Sequence, residues 1–133
     1  MVKAGSVFSE AELAFLHGQR RLGRVATVGA DGTPHVAPVG WAHNADLDTI
    51  DVTGHGLAQT KKFRDIQRTG RAAIVIDDLA SVSPWRPRAV EVRGRAEALC
   101  TPEALIRIHP ERIISWGLGP ERSARTVTRP VTP

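Results

Sequence analysis

Hydrophobic and polar positions alternate with a period of two over much of the chain, a pattern that predicts strands. The clearest case is RAVEVRGRAEALC (88–100), where Val90, Val92 and Gly94 share one side and charged residues occupy the other. This segment is predicted to be a long strand with one solvent-exposed face. LGRVATVGADGTPHVAPVGWAHN predicts a hairpin that turns at Asp31-Gly32. Further strands are predicted in ADLDTIDVTG, RAAIVIDDL and HPERIISWGLG.

Three segments carry signals for short helices. Ser9 and Glu12 form a capping box at the start of the first. Thr60 precedes KKFRDIQRT, which predicts a second helix that ends near Thr69-Gly70. Thr101 followed by Pro102 predicts a third, over TPEALIRI. The tail PERSARTVTRPVTP is predicted to be poorly ordered or wrapped on a partner.

About six strands joined mostly by hairpins, with two or three short helices, predict a mainly β fold with flanking helices. Such a set favours a small closed or half-closed antiparallel barrel. With 133 residues the chain is predicted to be a single domain over 1–133, with 117–133 as a candidate flexible tail. A chain this small encloses a cofactor most easily by dimerising, with the site between subunits.

Charge and composition narrow the class of partner. The net charge of +4 and the pI of about 10.2 favour an anionic partner, either nucleic acid or a phosphorylated small molecule. Only three Phe and three Trp are present, with no Tyr, and no basic stripe is interleaved with aromatics. We therefore expect no nucleic-acid binding.

Other site classes are excluded on spacing and length. Cys100 is the only cysteine, and the five histidines show no metal-ligand spacing, so no metal site is expected. No apolar run approaches the roughly 20 residues of a membrane span. A cytoplasmic protein without a membrane partner is expected.

The basic helix is the first candidate for chemistry. At about 100° per residue, Phe63 and Ile66 share a face, Lys62 lies at the rim of that face and Lys61 points away. A helix start offers unpaired N–H groups and partial positive charge, so with the two lysines it can bind an anion. The alternative is a solvated face whose lysine stems cover apolar surface. The residues of this segment leave both interpretations open.

The order of the motifs resembles a known family. RVATVGADGTPHVAPVGW, a third strand and then TKKFRDIQRTGRAAIVI are similar to the pyridoxamine 5'-phosphate oxidase-like family. Thr60, Lys61 and Lys62 match the family pattern at the helix start, and Arg71 follows at the matching distance. Thr69-Gly70 stands where the family commonly has Asn-Pro. The resemblance covers residues 9–116.

The resemblance implies a fold and an assembly. The fold is a six-stranded antiparallel split β-barrel, of the FMN-binding split barrel-like type. The assembly is a homodimer that binds flavin or deazaflavin at its interface. ATVGADGTPHVAPVGW and DDLASVSPWRPRAVEVRGRAEAL are most similar to the small actinobacterial members that use coenzyme F420. A true pyridoxamine phosphate oxidase is longer at its C-terminal end.

The implied function is an oxidoreductase that uses reduced coenzyme F420 to transfer a hydride to an unsaturated small molecule. Alternatives are an FMN-binding oxidoreductase of the same fold and a non-catalytic protein that binds a cofactor or small ligand. In the resembling enzymes the cofactor carries the hydride, so no catalytic side chain is assigned.

The resemblance also implies a set of cofactor-binding residues. The phosphate would be held by Thr60, Lys61 and Lys62. The ring would lie over Val36, Ala37, Pro38 and Val39. The loop SPWRP would supply Trp85 and Arg86, from the same or the second subunit.

Two of these assignments compete with structural interpretations. Trp85 between prolines is equally typical of a residue that fills the core. His35 could donate a proton near the cofactor, but a strand histidine that faces solvent is the favoured interpretation.

Overall fold

The computed structural model of the protein describes residues 5–128. It contains two α-helices, one 3₁₀ turn and seven strands. In chain order these are α1 (Glu10–Leu16), β1 (Gly23–Val28), β2 (Pro34–Asn44), β3 (Thr49–Thr53), the 3₁₀ turn (Leu57–Gln59), α2 (Lys61–Thr69), β4 (Arg71–Ser81), β5 (Arg86–Leu99), β6 (Leu105–Trp116) and β7 (Ser123–Thr126).

The strands form one antiparallel sheet that closes into a barrel. Their order is β3-β2-β1-β4-β5-β6-β7, and β3 also pairs with β6 through Ile50 and Ile108. That last pairing closes a barrel of six strands, as the sequence predicted. β7 is an additional strand, which pairs with the second half of β6.

The barrel interior is filled by branched aliphatic side chains. Ile50, Ile74, Val92 and Ile106 have no exposed surface. The alternation predicted for β5 is confirmed, because Val90, Val92 and Gly94 are buried while Arg93 and Arg95 are exposed. Apolar burial of this kind contributes roughly 1.5–3 kcal/mol for each large side chain.

The predicted turns and caps of the first half are confirmed. Ser9 and Glu12 form both hydrogen bonds of a capping box at the start of α1. At the predicted Asp31-Gly32 turn, the Gly29 N–H donates to the Thr33 carbonyl. α2 ends at Gly70, which adopts φ 68° in the left-handed region.

The predicted helix over residues 101–108 is wrong. Residues 101–103 form a bend, and a strand, β6, begins at Leu105. Ile106 and Ile108 point into the core, and β6 pairs with both β5 and β3. The local capping signal at Thr101-Pro102 is outweighed by strand pairing with distant segments.

The prediction of a poorly ordered tail is also wrong for part of its length. Ser123–Thr126 form β7, and Val127 donates a backbone hydrogen bond to Glu111. Residues 129–133 lie outside the described residues. None of the helices within residues 5–128 has the length and hydrophobicity needed to cross a membrane.

Candidate functional site

A cleft of about 250 Å³ opens where the start of α2 meets the β1–β2 hairpin. We call it the lysine cleft. Its lining consists of Val25, Thr27, His35, Val36, Ala37, Lys61 and Lys62. The chain therefore places the two adjacent lysines beside the strand that the resemblance assigned to the cofactor ring.

The burial of α2 fixes the direction of the lysines. Phe63 and Ile66 are 1% and 2% exposed and anchor the helix on the barrel. Lys61 is exposed and Lys62 is half-buried, as the helical wheel predicted. Both side chains still border the cleft, so both cations can meet an anion there.

The backbone at the start of α2 adds two donors. The Thr60 hydroxyl accepts from the Phe63 N–H at 3.3 Å and donates to the Leu57 carbonyl at 2.6 Å. No acceptor within residues 5–128 is found for the N–H groups of Lys61 and Lys62. These amides are thus open to an anion, whereas the hydroxyl hydrogen of Thr60 already has a partner.

The remaining predicted residues divide into two groups. On β2, Val36 and Ala37 line the cleft, Pro38 is exposed and Val39 is buried in the core. Trp85 and Arg86 lie at the turn between β4 and β5, where Trp85 is 67% exposed. Neither of these two lines the lysine cleft, so their assignment to the site stays a prediction.

A buried carboxylate beside the cleft was not predicted from the sequence. Asp65 on α2 is 2% exposed, and its Oδ2 accepts from the Thr27 hydroxyl at 2.8 Å. The same oxygen lies 2.7 Å from Nδ1 of His35. Burial raises the pKa of Asp65, but the hydrogen bonds from His35 and Thr27 outweigh it, so the pKa is lowered overall. His35 therefore does not simply face solvent, and that prediction was wrong.

The hairpin register contains the signal that could have found this group. Thr27 and His35 are directly paired across β1 and β2. They share the inward side with Val25 and Ala37, so counting back from the Asp31-Gly32 turn places two polar residues toward the interior. Such a pair requires a buried polar partner, and Asp65 is that partner.

A second groove continues from the cleft along the outer face of the barrel. It has a volume of about 350 Å³ and shares Val36 with the lysine cleft. Its other lining residues are Arg24, Ala26, Ala73, Ile74, Val75, Glu91 and Trp116. Together the two spaces fall within the range usual for small-molecule sites, roughly 300–1,000 Å³.

Comparison with known proteins identifies the family of the chain. The family model described as pyridoxamine 5'-phosphate oxidase matches residues 8–129. A curated relative from Streptomyces rimosus subsp. rimosus, 5a,11a-dehydrotetracycline/5a,11a-dehydrooxytetracycline reductase, is 37% identical, with 94% of each chain covered. The small antiparallel barrel with a basic cleft is thus a split barrel of a known class. The chain belongs to the pyridoxamine 5'-phosphate oxidase family, which confirms the resemblance predicted from the sequence.

Two solved structures show the same fold. The conserved hypothetical protein Rv2991 from Mycobacterium tuberculosis superposes with a TM-score of 0.67 at 24% identity, covering 87% of this chain and 89% of that one. A protein named F420 reductase superposes with a TM-score of 0.58 at 21% identity, covering 75% and 94%. At these identities the likeness concerns the fold.

The residues present fit an anionic cofactor with a planar ring. Two lysine side chains and two open amides border one end of the cleft, while Val36 and Ala37 provide apolar surface next to them. A flavin or deazaflavin bound here would supply the hydride. The residues of the cleft would supply position and charge.

Proposed function

We propose that the protein is an oxidoreductase that uses reduced coenzyme F420 to transfer a hydride to an unsaturated small molecule. The observation that carries the proposal is the lysine cleft, in which Lys61 and Lys62 stand at an open helix start beside the apolar part of β2. This arrangement suits a phosphate next to a planar ring.

The relatives support the reaction type. The Streptomyces relative, at 37% identity over nearly its whole length, is named as a reductase of 5a,11a-dehydro compounds. Reduction of such a compound adds two hydrogens across a carbon–carbon double bond. The F420 reductase with the same fold supports the choice of deazaflavin.

FMN is the second candidate cofactor. The lysine cleft recognises a phosphate, and both cofactors carry one, so the charges at the start of α2 favour neither. If the lysine cleft binds FMN instead, the protein is an oxidoreductase of the same family in which FMN carries the hydride.

The proposed active form is a homodimer with the cofactor at the interface. Val36 is 72% exposed where the lysine cleft and the adjacent groove meet, and an apolar residue so placed suits contact with a second subunit. Trp85 and Arg86 at the β4–β5 turn would then reach the site of the partner rather than their own. Light scattering should give a dimer mass, and Val36→Glu should shift it toward the monomer.

Titration of the protein with F420 and with FMN, followed by tryptophan fluorescence, tests the proposal. We expect micromolar or tighter F420 binding. Lys62→Ala should weaken it by about 1.5–3 kcal/mol, roughly 10- to 150-fold, because a charge-assisted phosphate contact is lost. Lys61→Ala should have a smaller effect, since its side chain is more exposed.

The control is Arg64→Ala, which removes the same charge from the same helix at an exposed position outside the cleft lining. It should leave affinity within about twofold. Binding of FMN with none of F420 would contradict the cofactor assignment. Unchanged affinity in both lysine variants would contradict the lysine cleft as the phosphate site.

A further inference from the structure

Asp65 and His35, beside the lysine cleft, form a hydrogen-bonded pair in which the carboxylate fixes the orientation of the imidazole ring. Asp65 is almost fully buried, and its Oδ2 is 2.7 Å from Nδ1 of His35. Thr27 donates to the same oxygen at 2.8 Å, which fixes the carboxylate against β1. Asp65 thus fixes the orientation of the His35 imidazole, and Thr27 in turn fixes the orientation of Asp65.

This geometry determines which ring nitrogen carries hydrogen. An ionised carboxylate only accepts hydrogen bonds, so Nδ1 of His35 must be the donor. Nε2 remains, and no hydrogen bond to it is found from any residue in the described part of the chain. The ring lines the lysine cleft with its side chain 24% exposed. Nε2 is therefore the nitrogen available for proton transfer.

We propose that His35 delivers the proton that completes the reduction, with Asp65 as its positioning residue. This inference rests on the proposed function. The substrate double bond takes up a hydride, with the two electrons that the reduced cofactor loses, and one proton. As the Nε2–H bond of protonated His35 breaks, a new bond to hydrogen forms at the substrate atom that holds the remaining electron pair. Water then returns a proton to the neutral imidazole.

The charges around His35 suit an acid that works beside a bound anion. Asp65 stabilises the protonated ring, and Asp31 lies near it on the turn. Lys61 and Lys62 border the same cleft, and Arg68 lies 3.6 Å from Asp65 on α2. An anion bound by the two lysines would add a negative charge in the cleft that the His35 ring borders.

The first test uses nitrogen NMR of the cofactor-free protein with ¹⁵N-labelled histidine. At alkaline pH we expect His35 in the form that carries hydrogen on Nδ1. Asp65→Asn should change it to the form with hydrogen on Nε2, because an amide can donate to Nδ1. A wild-type signal with hydrogen on Nε2 would overturn the proposed pair, whatever the cofactor.

The second test separates proton delivery from binding. His35→Gln should lower the single-turnover rate of substrate reduction about 100-fold or more while cofactor affinity stays within threefold. If His35 donates the proton, the wild-type rate should fall with rising pH as His35 loses that proton. This fall should be absent in His35→Gln. His55→Gln is the matched control, because His55 is exposed and lies outside the cleft lining. A rate within threefold of wild type in His35→Gln would overturn the proposal.

Gly29→Ala tests position while both groups remain. A Cβ at Gly29 would lie 2.6 Å from Cε1 of His35, so the ring must move. We expect a rate loss of about tenfold or more without loss of cofactor affinity, and this variant substitutes for Asp65→Asn if the latter fails to fold. An unchanged rate despite a shifted His35 signal would overturn the positional argument. If the wild type binds neither F420 nor FMN in the titration described above, both the proposed function and this inference are refuted. Because the titration needs no turnover, it separates that outcome from a failure of the His35 proposal alone.

Discussion

Two buried carboxylates, Glu12 on α1 and Asp65 on α2, are almost equally hidden from water, at 1% and 2% exposure. Glu12 receives the Ser9 N–H, the Ser115 hydroxyl at 2.6 Å and both terminal nitrogens of Arg125 at 2.6 and 3.0 Å. Asp65 accepts hydrogen bonds from the Thr27 hydroxyl and from Nδ1 of His35. The only cationic partner of Glu12 among the described residues is an arginine, whereas the partners of Asp65 include the imidazole of His35.

The difference shows that the partner, rather than the burial, separates a structural carboxylate from a candidate functional one. We call Glu12, Ser115 and Arg125 the Glu12 cluster. Arg125 also donates to the Val7 carbonyl at 2.7 Å, so this cluster links α1 to β7. Asp65 instead holds a ring that borders a cleft. Burial raises the pKa of Glu12, but the hydrogen bonds from Arg125 and Ser115 lower it overall.

Removal of Arg125 should produce the largest effect on stability. Arg125→Ala leaves the buried Glu12 carboxylate without its cation; because the Arg125 side chain is itself 33% exposed, the cost should lie at the lower end of that for a buried pair, about 3 kcal/mol. Urea unfolding measures the loss. Arg122→Ala is the control, because Arg122 is exposed three residues away. A loss below about 1 kcal/mol would mean that the Glu12 cluster is not structural.

Asp65→Asn should cost less, about 1–3 kcal/mol, because asparagine keeps an acceptor but loses the charge that His35 and Thr27 share. The same urea experiment measures it, with the exposed Glu103→Gln as control. A loss larger than that of Arg125→Ala would contradict the distinction between the two carboxylates. Asp65 would then be mainly a structural residue.

Asp78 offers a smaller effect that depends on pH. Hydrogen bonds from Arg88 and then Arg21 lower the pKa of Asp78 from 3.8 to about 2. Its folded-state pKa is depressed, so its contribution is complete above about pH 4 and is lost as pH falls toward 2. Asp78→Asn should cost about 1 kcal/mol at pH 7, since both the carboxylate and Arg88 are partly exposed.

Urea unfolding at several pH values between 7 and 2 checks this expectation. The gap between wild type and Asp78→Asn should narrow as the pH falls through that window. A gap that stays constant down to pH 2 would show that the charge of Asp78 does not contribute.

The parts of the fold that local signals determine could be predicted from the sequence. Ser9 with Glu12, Asp31-Gly32 and Gly70 each act within a few residues, so the caps and the hairpin turn were recognisable. The alternation of 88–100 needs only its own side chains. The same holds for the start of α2, where the position of Lys62 at the rim of the buried face follows from Phe63 and Ile66.

The rest depended on contacts between distant segments. Residues 105–108 form a strand because β3 and β5 pair with them, although Thr101-Pro102 alone signals a helix. The hairpin register indicates that Thr27 and His35 need a buried polar partner, but only the packing of α2 on β1 identifies Asp65 as that partner. The role of His35 depends on that packing, so the sequence favoured a solvent-exposed histidine.

The link between Glu12 and Arg125 joins residues 113 positions apart. During synthesis on a ribosome, α1 emerges early, yet Glu12 has no cation until nearly the whole barrel has been translated. Burying Glu12 before then would leave its charge uncompensated, which is costly. The carboxylate should therefore stay hydrated in the nascent chain, and docking of α1 should wait for β7. We therefore expect the docking of α1 to be a late step in folding.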